Sequence, residues 1–152
     1  MAQKLGLNHK QAWAGFFLAY DQITREIDLR MRNAGVISLD VYDLLLVLES
    51  AGDNRLKMSE LAGQVARSMS GVTRSADKLE KEGLIERGPC PGDRRVVYVS
   101  ITSKGLEERK RAWPVYEEAI KELFADKMSV QEAVAMTAIF ERMRPLPDYL
   151  RS

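Results

Sequence analysis

Polar and basic side chains on one short helix are the residues of this sequence best suited to chemistry, and that chemistry is contact with a nucleic acid. They lie within residues 61–83. This stretch predicts two short helices joined by a tight turn, and Ser68 can cap the second helix. In the second helix Val72, Ala76 and Leu79 form one apolar face. The opposite face is small, polar and basic, which suits a DNA major groove. An ordinary amphipathic surface helix would show the same pattern, so the neighbouring elements must decide. The two helices are expected over roughly residues 59–66 and 68–82.

The segment after this helix pair predicts a β-hairpin. Gly83 can take the left-handed backbone conformation that ends a helix. Residues 84–85 and 96–101 are rich in β-forming residues, and apolar positions alternate in the second run. Between them lies a cluster of turn-forming residues, 88–93, which is too long for a two-residue hairpin loop.

The tip of the predicted hairpin is basic, because Arg94 and Arg95 follow the turn. A helix pair followed at once by a hairpin with a basic tip predicts a winged helix. In that arrangement an arginine of the tip can enter the minor groove of DNA, whose narrow A·T tracts carry an enhanced negative potential. Asp93 is expected to orient one of the two arginines through a carboxylate pair. The alternative is a charged turn that contacts only solvent.

The N-terminal part of the chain predicts a long helix that needs a packing partner. It is expected to run from a cap at Asn8 to about Asn33, before a buried helix that Ser38 opens and a short strand at residues 55–57. Its first turns carry four aromatic residues within eight positions. Such a group is typical of a core or an interface, yet Trp and Tyr also suit a mixed ligand pocket, and the sequence leaves both readings open. The four are Trp13, Phe16, Phe17 and Tyr20.

Two further helices are predicted after the hairpin. Thr102 is a candidate cap for the first, in which residues 107–111 are expected to form a solvated face of mixed charge. Pro114 is expected to kink or restart this helix because it has no amide hydrogen to donate. Ser129 and Glu132 form a capping box for the last helix. The predicted fold is therefore mainly α (α+β): a winged helix-turn-helix with N- and C-terminal flanking helices.

The charge distribution excludes a polycation but leaves a basic centre. The formal net charge is only +1, yet residues 55–104 carry ten Lys and Arg against six Asp and Glu. A locally basic middle agrees with a polyanion-binding face. The single cysteine, Cys90, excludes an internal disulfide and fits a reducing cytoplasm. The sequence shows neither a signal-peptide pattern nor an apolar run that could span a bilayer. We therefore expect a cytoplasmic location and no membrane partner.

The sequence does not predict an enzyme. The one histidine, His9, has no constellation of cysteine or carboxylate residues around it. We find no Gly-rich phosphate loop, metal-ligand spacing or nucleophile motif. We therefore expect no catalytic residue, no metal and no cofactor.

Six short segments follow one another in a specific order and spacing: residues 61–62, 72–74, 77–80, 83–87, 93–95 and 101–105. Each is a weak signal alone, whereas the series is specific. With these residues the chain resembles the MarR family of transcriptional regulators, closely over residues 38–104 and by pattern in the flanking helices. The resemblance implies a homodimer and a single domain over residues 1–152. Within it, residues 1–34 and 103–152 would form a helical dimerisation lobe, and residues 36–102 a DNA-binding lobe.

The resemblance further implies a repressor that binds a pseudo-palindromic operator and is released by a small aromatic or phenolic anion. Arg74 is the candidate for direct readout of a guanine, and Arg95 with Arg94 would serve as the wing arginine. The predicted DNA contacts are Lys57, Arg67, Ser68, Met69, Ser70, Gly71, Thr73, Arg74, Lys78, Asp93, Arg94 and Arg95. The candidate ligand contacts are Trp13, Phe17, Tyr20, Arg25, Arg30 and Tyr42.

A winged-helix module for protein interaction, without specific DNA binding, is the alternative function. Its second helix should expose apolar anchors, whereas here it exposes Ser, Thr, Arg and Lys. The salt dependence of binding to random duplex DNA separates the two functions, because counterion release at phosphates gives a steep negative slope.

Overall fold

The chain alternates between helices and a small sheet in a computed structural model that describes residues 4–65, 69–90 and 92–151. Over these residues it is mainly helical, which confirms the predicted winged helix-turn-helix with flanking helices. Short 3-10 turns occur at Ala125–Lys127 and Asp148–Leu150. The main elements are α1 (Leu7–Asn33), α2 (Leu39–Ser50), β1 (Arg55–Lys57), α3 (Met58–Gln64), α4 (Met69–Lys81), β2 (Ile85–Cys90), β3 (Asp93–Ile101), α5 (Ser103–Leu123) and α6 (Val130–Met143).

The three strands form one antiparallel sheet in the order β1–β3–β2. The hairpin of β2 and β3 is longer than predicted, because residues 88–90 pair with β3 instead of lying in the turn. Pro89 stands opposite Val97 and is tolerated because β2 lies at the edge of this sheet, where a missing amide donor costs little. The register shifts directly after Pro89. The predicted turn over residues 88–93 is therefore wrong in its first half.

One apolar core fixes the helix-turn-helix against the sheet. The helices α2, α3 and α4 and the strands β2 and β3 all contribute fully buried aliphatic side chains to it. Burial of each such side chain stabilises the fold by about 1.5–3 kcal/mol, so this cluster decides where α4 lies. Its most deeply buried members include Leu45, Leu48, Leu61, Val72, Ala76, Leu79, Ile85 and Val99.

A second core joins α1, α2 and α5. Only the C-terminal half of α1 enters it, through Ile27 and Met31. Asp28 Oδ1 accepts a hydrogen bond from the backbone nitrogen of Leu39 at 3.1 Å, which ties α1 to the start of α2. The other buried members are Leu39, Tyr42, Ala112 and Ala119.

Helix ends agree with the predicted caps in part. The capping box of α6 is confirmed, since Ser129 Oγ accepts from the Glu132 backbone nitrogen and the Glu132 carboxylate accepts from that of Ser129. The predicted cap at Asn8 is wrong, because α1 already begins at Leu7 and Asn8 lies inside it. Pro114 does not restart a helix: α5 runs through it without a break. Pro114 is exposed, so the carbonyl that lacks its amide partner is open to water.

The N-terminal half of α1 and the whole of α6 keep large apolar side chains exposed. Trp13 is 67% exposed, and in α6 Val130 and Met143 are 77% and 76% exposed. No residue of α6, which the structure describes throughout, is buried. The two helices meet where the rings of Phe16 and Phe140 lie 5.5 Å apart. Contiguous apolar surface of this kind marks an interaction site.

None of the helices in the described ranges is both long enough and apolar enough to cross a membrane.

Candidate DNA interface

Helix α4 presents the polar face that its sequence predicts. Thr73, Arg74 and Lys78 are exposed on the side opposite the buried Val72, Ala76 and Leu79. These three side chains are polar or basic, so this part of the helix face is suited to polar contacts rather than to a hydrophobic partner.

The predicted DNA contacts come from three elements of the winged helix. Lys57 ends β1, whereas Gly71, Thr73, Arg74 and Lys78 lie on α4, and Asp93, Arg94 and Arg95 begin β3. Met69 and Ser70 are the first two residues of α4. Arg67 and Ser68, including the predicted cap at Ser68, lie outside the described residues.

A network of three charged side chains holds α4 against β2. Arg87 of β2 donates from Nε and Nη2 to Glu80 Oε2 at 2.9 and 2.6 Å, and its Nη1 lies 2.7 Å from Asp77 Oδ1. Glu80 Oε1 also accepts from the backbone nitrogen of Arg87 at 3.2 Å. The hydrogen bonds from Arg87 lower the pKa of Glu80, and the bonds to Glu80 raise the pKa of Arg87. Each charge thus favours the other, and the pair links α4 to β2.

The C-terminal end of α4 is fixed to the start of α5. Gly83 takes the predicted left-handed conformation, with φ of 73°. Its carbonyl oxygen accepts from Thr102 Oγ1 at 2.7 Å, and the carbonyl oxygen of Glu82 accepts from Lys104 Nζ at 2.7 Å. Thr102 Oγ1 also accepts from the Gly105 backbone nitrogen at 3.0 Å, which confirms it as the cap of α5. These bonds tie the start of α5 to the end of α4.

A side-chain hydrogen bond holds the backbone at the start of β3. Asp93 Oδ1 accepts from the backbone nitrogen of Arg95 at 2.9 Å. The prediction assigned Asp93 a guanidinium partner, whereas its contact with Arg95 is to the main chain. The guanidinium of Arg55 lies 5.3 Å from the centre of the Tyr98 ring, which adds a cation–π contact at the base of the wing. The side chain of Arg95 is exposed next to the turn.

The two lysines predicted to contact phosphates form only loose ion pairs. Lys57 Nζ lies 3.9 Å from Glu60 Oε1, and Lys78 Nζ lies 3.8 Å from Glu82 Oε1. Exposed pairs of this kind contribute little to stability, so the ammonium groups can exchange these carboxylates for another anion at small cost.

The aromatic residues predicted for a ligand pocket do not converge. Trp13, Phe17 and Tyr20 are exposed on α1, whereas Tyr42 is buried. Among the described residues, the ring contacts of Tyr42 are with α5: its centre lies 4.8 Å from that of Tyr116 in an edge-on arrangement.

The two arginines proposed for an anion already have carboxylate neighbours. Arg25 Nη2 lies 2.8 Å from Asp21 Oδ2 on the same helix. Arg30 donates from Nε to Glu26 at 2.9 Å and from Nη1 to Glu122 of α5 at 2.6 Å. Arg25 also borders an apolar groove of about 850 Å³ between α1 and the segment after α5, lined among others by Leu29, Leu123, Phe124, Met128 and Met136.

A polar group beneath α5 was not predicted from the sequence. Arg109, which belongs to the run predicted as solvated, is buried enough to donate from Nη1 to Tyr42 Oη at 3.0 Å and to form a close ion pair with Glu49 of α2. The Trp113 ring stacks on Tyr42 with centres 6.3 Å apart, and the Tyr116 ring meets Tyr42 edge-on at 4.8 Å. Arg109 and Trp113 are four residues apart, so they lie on the same face of α5. This spacing is the feature of the sequence from which the position of Arg109 beside the aromatic residues could have been predicted.

The MarR family model matches residues 37–97, from the end of the loop before α2 to the second half of β3. This is the region that contains the helix-turn-helix, the sheet and the charged network around Arg87. Residues 37–97 of this chain are a MarR-family winged helix. The matched region carries all twelve predicted DNA contacts, and the helices α1, α5 and α6 lie outside it.

Known relatives agree with this assignment in sequence and in fold. The chain is 32% identical to the transcriptional repressor MprA of Escherichia coli (strain K12) over 96 residues, which cover 63% of this chain and 54% of MprA. The chain thus spans about half the length of the curated relatives that it matches first. Sco3205 of Streptomyces coelicolor, solved in complex with DNA, superposes with a TM-score of 0.87 at 22% identity, over 98% of this chain and 94% of that one. BpsR of Bordetella bronchiseptica, whose DNA binding is regulated by 6-hydroxynicotinic acid, gives a TM-score of 0.76 at 19% identity, over 88% and 98% of the two chains.

Proposed function

We propose that this chain is a sequence-specific regulator of transcription that binds double-stranded DNA as a homodimer and acts as a repressor. The observation that carries the proposal is the exposed, polar and basic face of α4, held to the wing by Arg87 and followed by the exposed Arg95. A helix held in this way can enter a major groove without reorganising, which keeps the entropic cost of binding small.

The contacts divide into base readout and phosphate contact. Arg74, in the first turns of α4, is assigned a bidentate contact with a guanine, which contributes roughly 1–3 kcal/mol of discrimination. Gly71 and Thr73 border the same part of the helix. Lys57 and Lys78 are assigned to phosphates, because their loose ion pairs release them easily. Arg95 is assigned to the minor groove, where it reads groove width rather than individual bases.

The second copy is inferred from uncovered apolar surface. Within residues 4–65, 69–90 and 92–151, nothing buries the exposed aromatics of α1 or the exposed aliphatic residues of α6. A second copy placed on these helices would bury them and would pair two α4 helices. Two such helices require half-sites about 10 bp apart between centres, so the operator is expected to be a pseudo-palindrome.

Release from DNA is assigned to a small aromatic or phenolic anion. Trp13, Phe17 and Tyr20 of α1 offer ring surface, and Arg25 and Arg30 of the same helix would exchange their carboxylate neighbours for the anion. Tyr42 is buried beneath the same lobe. An anion that prefers the dimer with the wrong half-site spacing by about 3 kcal/mol would weaken DNA binding more than a hundredfold, by linkage.

Selection of bound sequences from a random duplex pool, followed by fluorescence anisotropy on the selected operator and on a scrambled duplex, tests the proposal. Arg74→Ala is expected to lose affinity mainly for the operator, and Arg95→Ala to lose affinity for both duplexes more evenly, because only the former reads bases. Lys121→Ala is the control, since Lys121 is exposed on α5 beside Glu118.

Two results would contradict the proposal. Equal loss of specificity in Arg74→Ala and Arg95→Ala would refute the division of roles. No binding to any duplex in dilute salt would favour the winged-helix module for protein contact instead.

A further inference from the structure

The chain does not end with α6 but folds back onto the helix-turn-helix. Residues 144–151, here called the C-terminal strap, follow α6 directly. Arg144 Nη2 donates to the carbonyl oxygen of Gly63 in α3 at 3.3 Å, and Tyr149 packs against the core that contains α4. The strap therefore joins α6 to the lobe that carries the proposed DNA contacts.

The Arg144 contact is made at a chemically favourable point. Gly63 lies in the last turn of α3, where backbone carbonyls have no partner within the helix and the helix dipole is negative. A guanidinium placed there satisfies one of these carbonyls and complements the dipole. Because α3 is only seven residues long, a contact at its end bears on the position of the whole helix.

Tyr149 makes the apolar contact between the strap and the helix-turn-helix. Its ring is half-buried against the winged-helix core, and this burial raises the pKa of its hydroxyl. Between the strap and the ends of α2 and α3 lies a cavity of about 370 Å³, lined by Ser50, Ala51 and Gln64 on the lobe side. The strap thus borders an open space beside the contacts that Arg144 and Tyr149 make with the lobe.

The strap is stiff within itself. Pro145 and Pro147 restrict its backbone, and the backbone nitrogen of Leu150 donates to the carbonyl oxygen of Pro147 at 3.0 Å. Arg151 Nε donates to the carbonyl oxygen of Leu146 at 3.1 Å, and its Nη2 lies 3.8 Å from Glu141 Oε1 of α6. A segment with these internal contacts can fix the position of α6 relative to the helix-turn-helix, which a flexible linker cannot do.

We infer that Arg144 and Tyr149 are positioning residues for operator recognition: through the strap they fix the angle between α6 and the helix-turn-helix, and so set the half-site spacing that the dimer accepts. The inference rests on the proposed homodimer, in which the exposed apolar residues of α6 contact the second copy. A rigid link on each side holds the two α4 helices at one separation, whereas a loosened link lets the dimer accept several.

Spacing preference is the readout that distinguishes positioning from stability. Affinities are measured for the selected operator and for duplexes with one base pair inserted or removed between the half-sites. The parent chain should bind the unchanged spacing at least about tenfold more tightly, equal to 1.4 kcal/mol. Arg144→Ala and Tyr149→Ala should each reduce this ratio, and the double variant should bring it close to one, with unchanged affinity for a single half-site. Leu150→Ala is the control, because Leu150 belongs to the strap but is exposed.

Other results would contradict either the inference or the proposed homodimer on which it rests. If the variants melt at a lower temperature but keep the parent's spacing ratio, the strap only stabilises the fold and the inference is wrong. Arg144→Ala removes no buried side chain, so it remains a valid test if Tyr149→Ala fails to fold. If the parent itself is monomeric by light scattering, the proposed homodimer fails, and the inference fails with it. If the parent is dimeric but shows no spacing preference, the inference alone is wrong.

Discussion

Gly105 is buried where α5 begins, and alanine at this position is expected to destabilise the chain. A Cβ there would lie 2.8 Å from Cγ1 of Ile101 and closer still to the carbonyl oxygen of Leu84. The isoleucine side chain can turn away, but the carbonyl is held in place because it accepts from the Thr102 backbone nitrogen at 3.1 Å. The start of α5 must therefore move, and overpacking of this kind costs about 1–3 kcal/mol.

Urea denaturation followed by far-ultraviolet circular dichroism, at one fixed protein concentration, measures this cost. In a thermal scan each kcal/mol should lower the melting temperature by roughly 2–4 °C for a chain of this size. Gly63→Ala is the control, since nothing lies within 4 Å of a Cβ built there and alanine favours a helix by about 1 kcal/mol over glycine. A Gly105→Ala chain that unfolds at the same urea concentration as the parent would refute the argument from the fixed carbonyl.

Three further substitutions test other contacts of the site. Thr102→Val removes the cap of α5 together with the bond to the end of α4, and should lower the free energy of unfolding by about 1–2 kcal/mol in the same urea assay. Arg87→Met should weaken operator binding roughly tenfold, equal to 1.4 kcal/mol, because α4 loses its link to β2; unchanged anisotropy titrations would contradict this. Burial raises the pKa of Tyr116 to about 12, above its ordinary value of 10.0, so the unfolded chain loses this proton first. The contribution of Tyr116 to stability is complete below pH 10 and should be lost between pH 10 and 12, with a slope of at most about 1.4 kcal/mol per pH unit. Tyr116→Phe should remove that part of the slope, and identical slopes in the two chains would show that the phenol does not titrate as described.

Local signals allowed the helix-turn-helix and its wing to be predicted from the sequence. The apolar spacing of α4 and the glycine that ends it, Gly83, act within a few residues of each other, and so does the alternation in β3. Pro89 misled the prediction because turn-forming residues are also tolerated on an edge strand, and edge position depends on the sheet as a whole. Local chemistry therefore fixed which elements occur but not where each strand ends.

Burial depended on partners that are distant in the sequence. Tyr42 is covered by Arg109 and Tyr116 of α5, 67 and 74 positions later, so its aromatic character alone could not separate core from pocket. The apolar stripe of α1 is continuous in the sequence, yet Ile27 is buried and Trp13 is exposed. A periodic spacing of apolar residues predicts that one face of a helix is buried. It does not show whether the same chain or a second molecule buries that face.

The exposed apolar face of α6 affects how the activity of the proposed regulator would depend on its concentration in a cell. No residue of α6, described over its whole length, is buried by its own chain, so in the proposed homodimer the cover comes from a second molecule. While the concentration of separate chains lies well below the dissociation constant, the assembled form increases with the square of that concentration, and a doubling of copy number gives about four times as much of it. A promoter under such control would change state over a narrow interval of protein synthesis, and dilution at cell division would by itself move it toward expression.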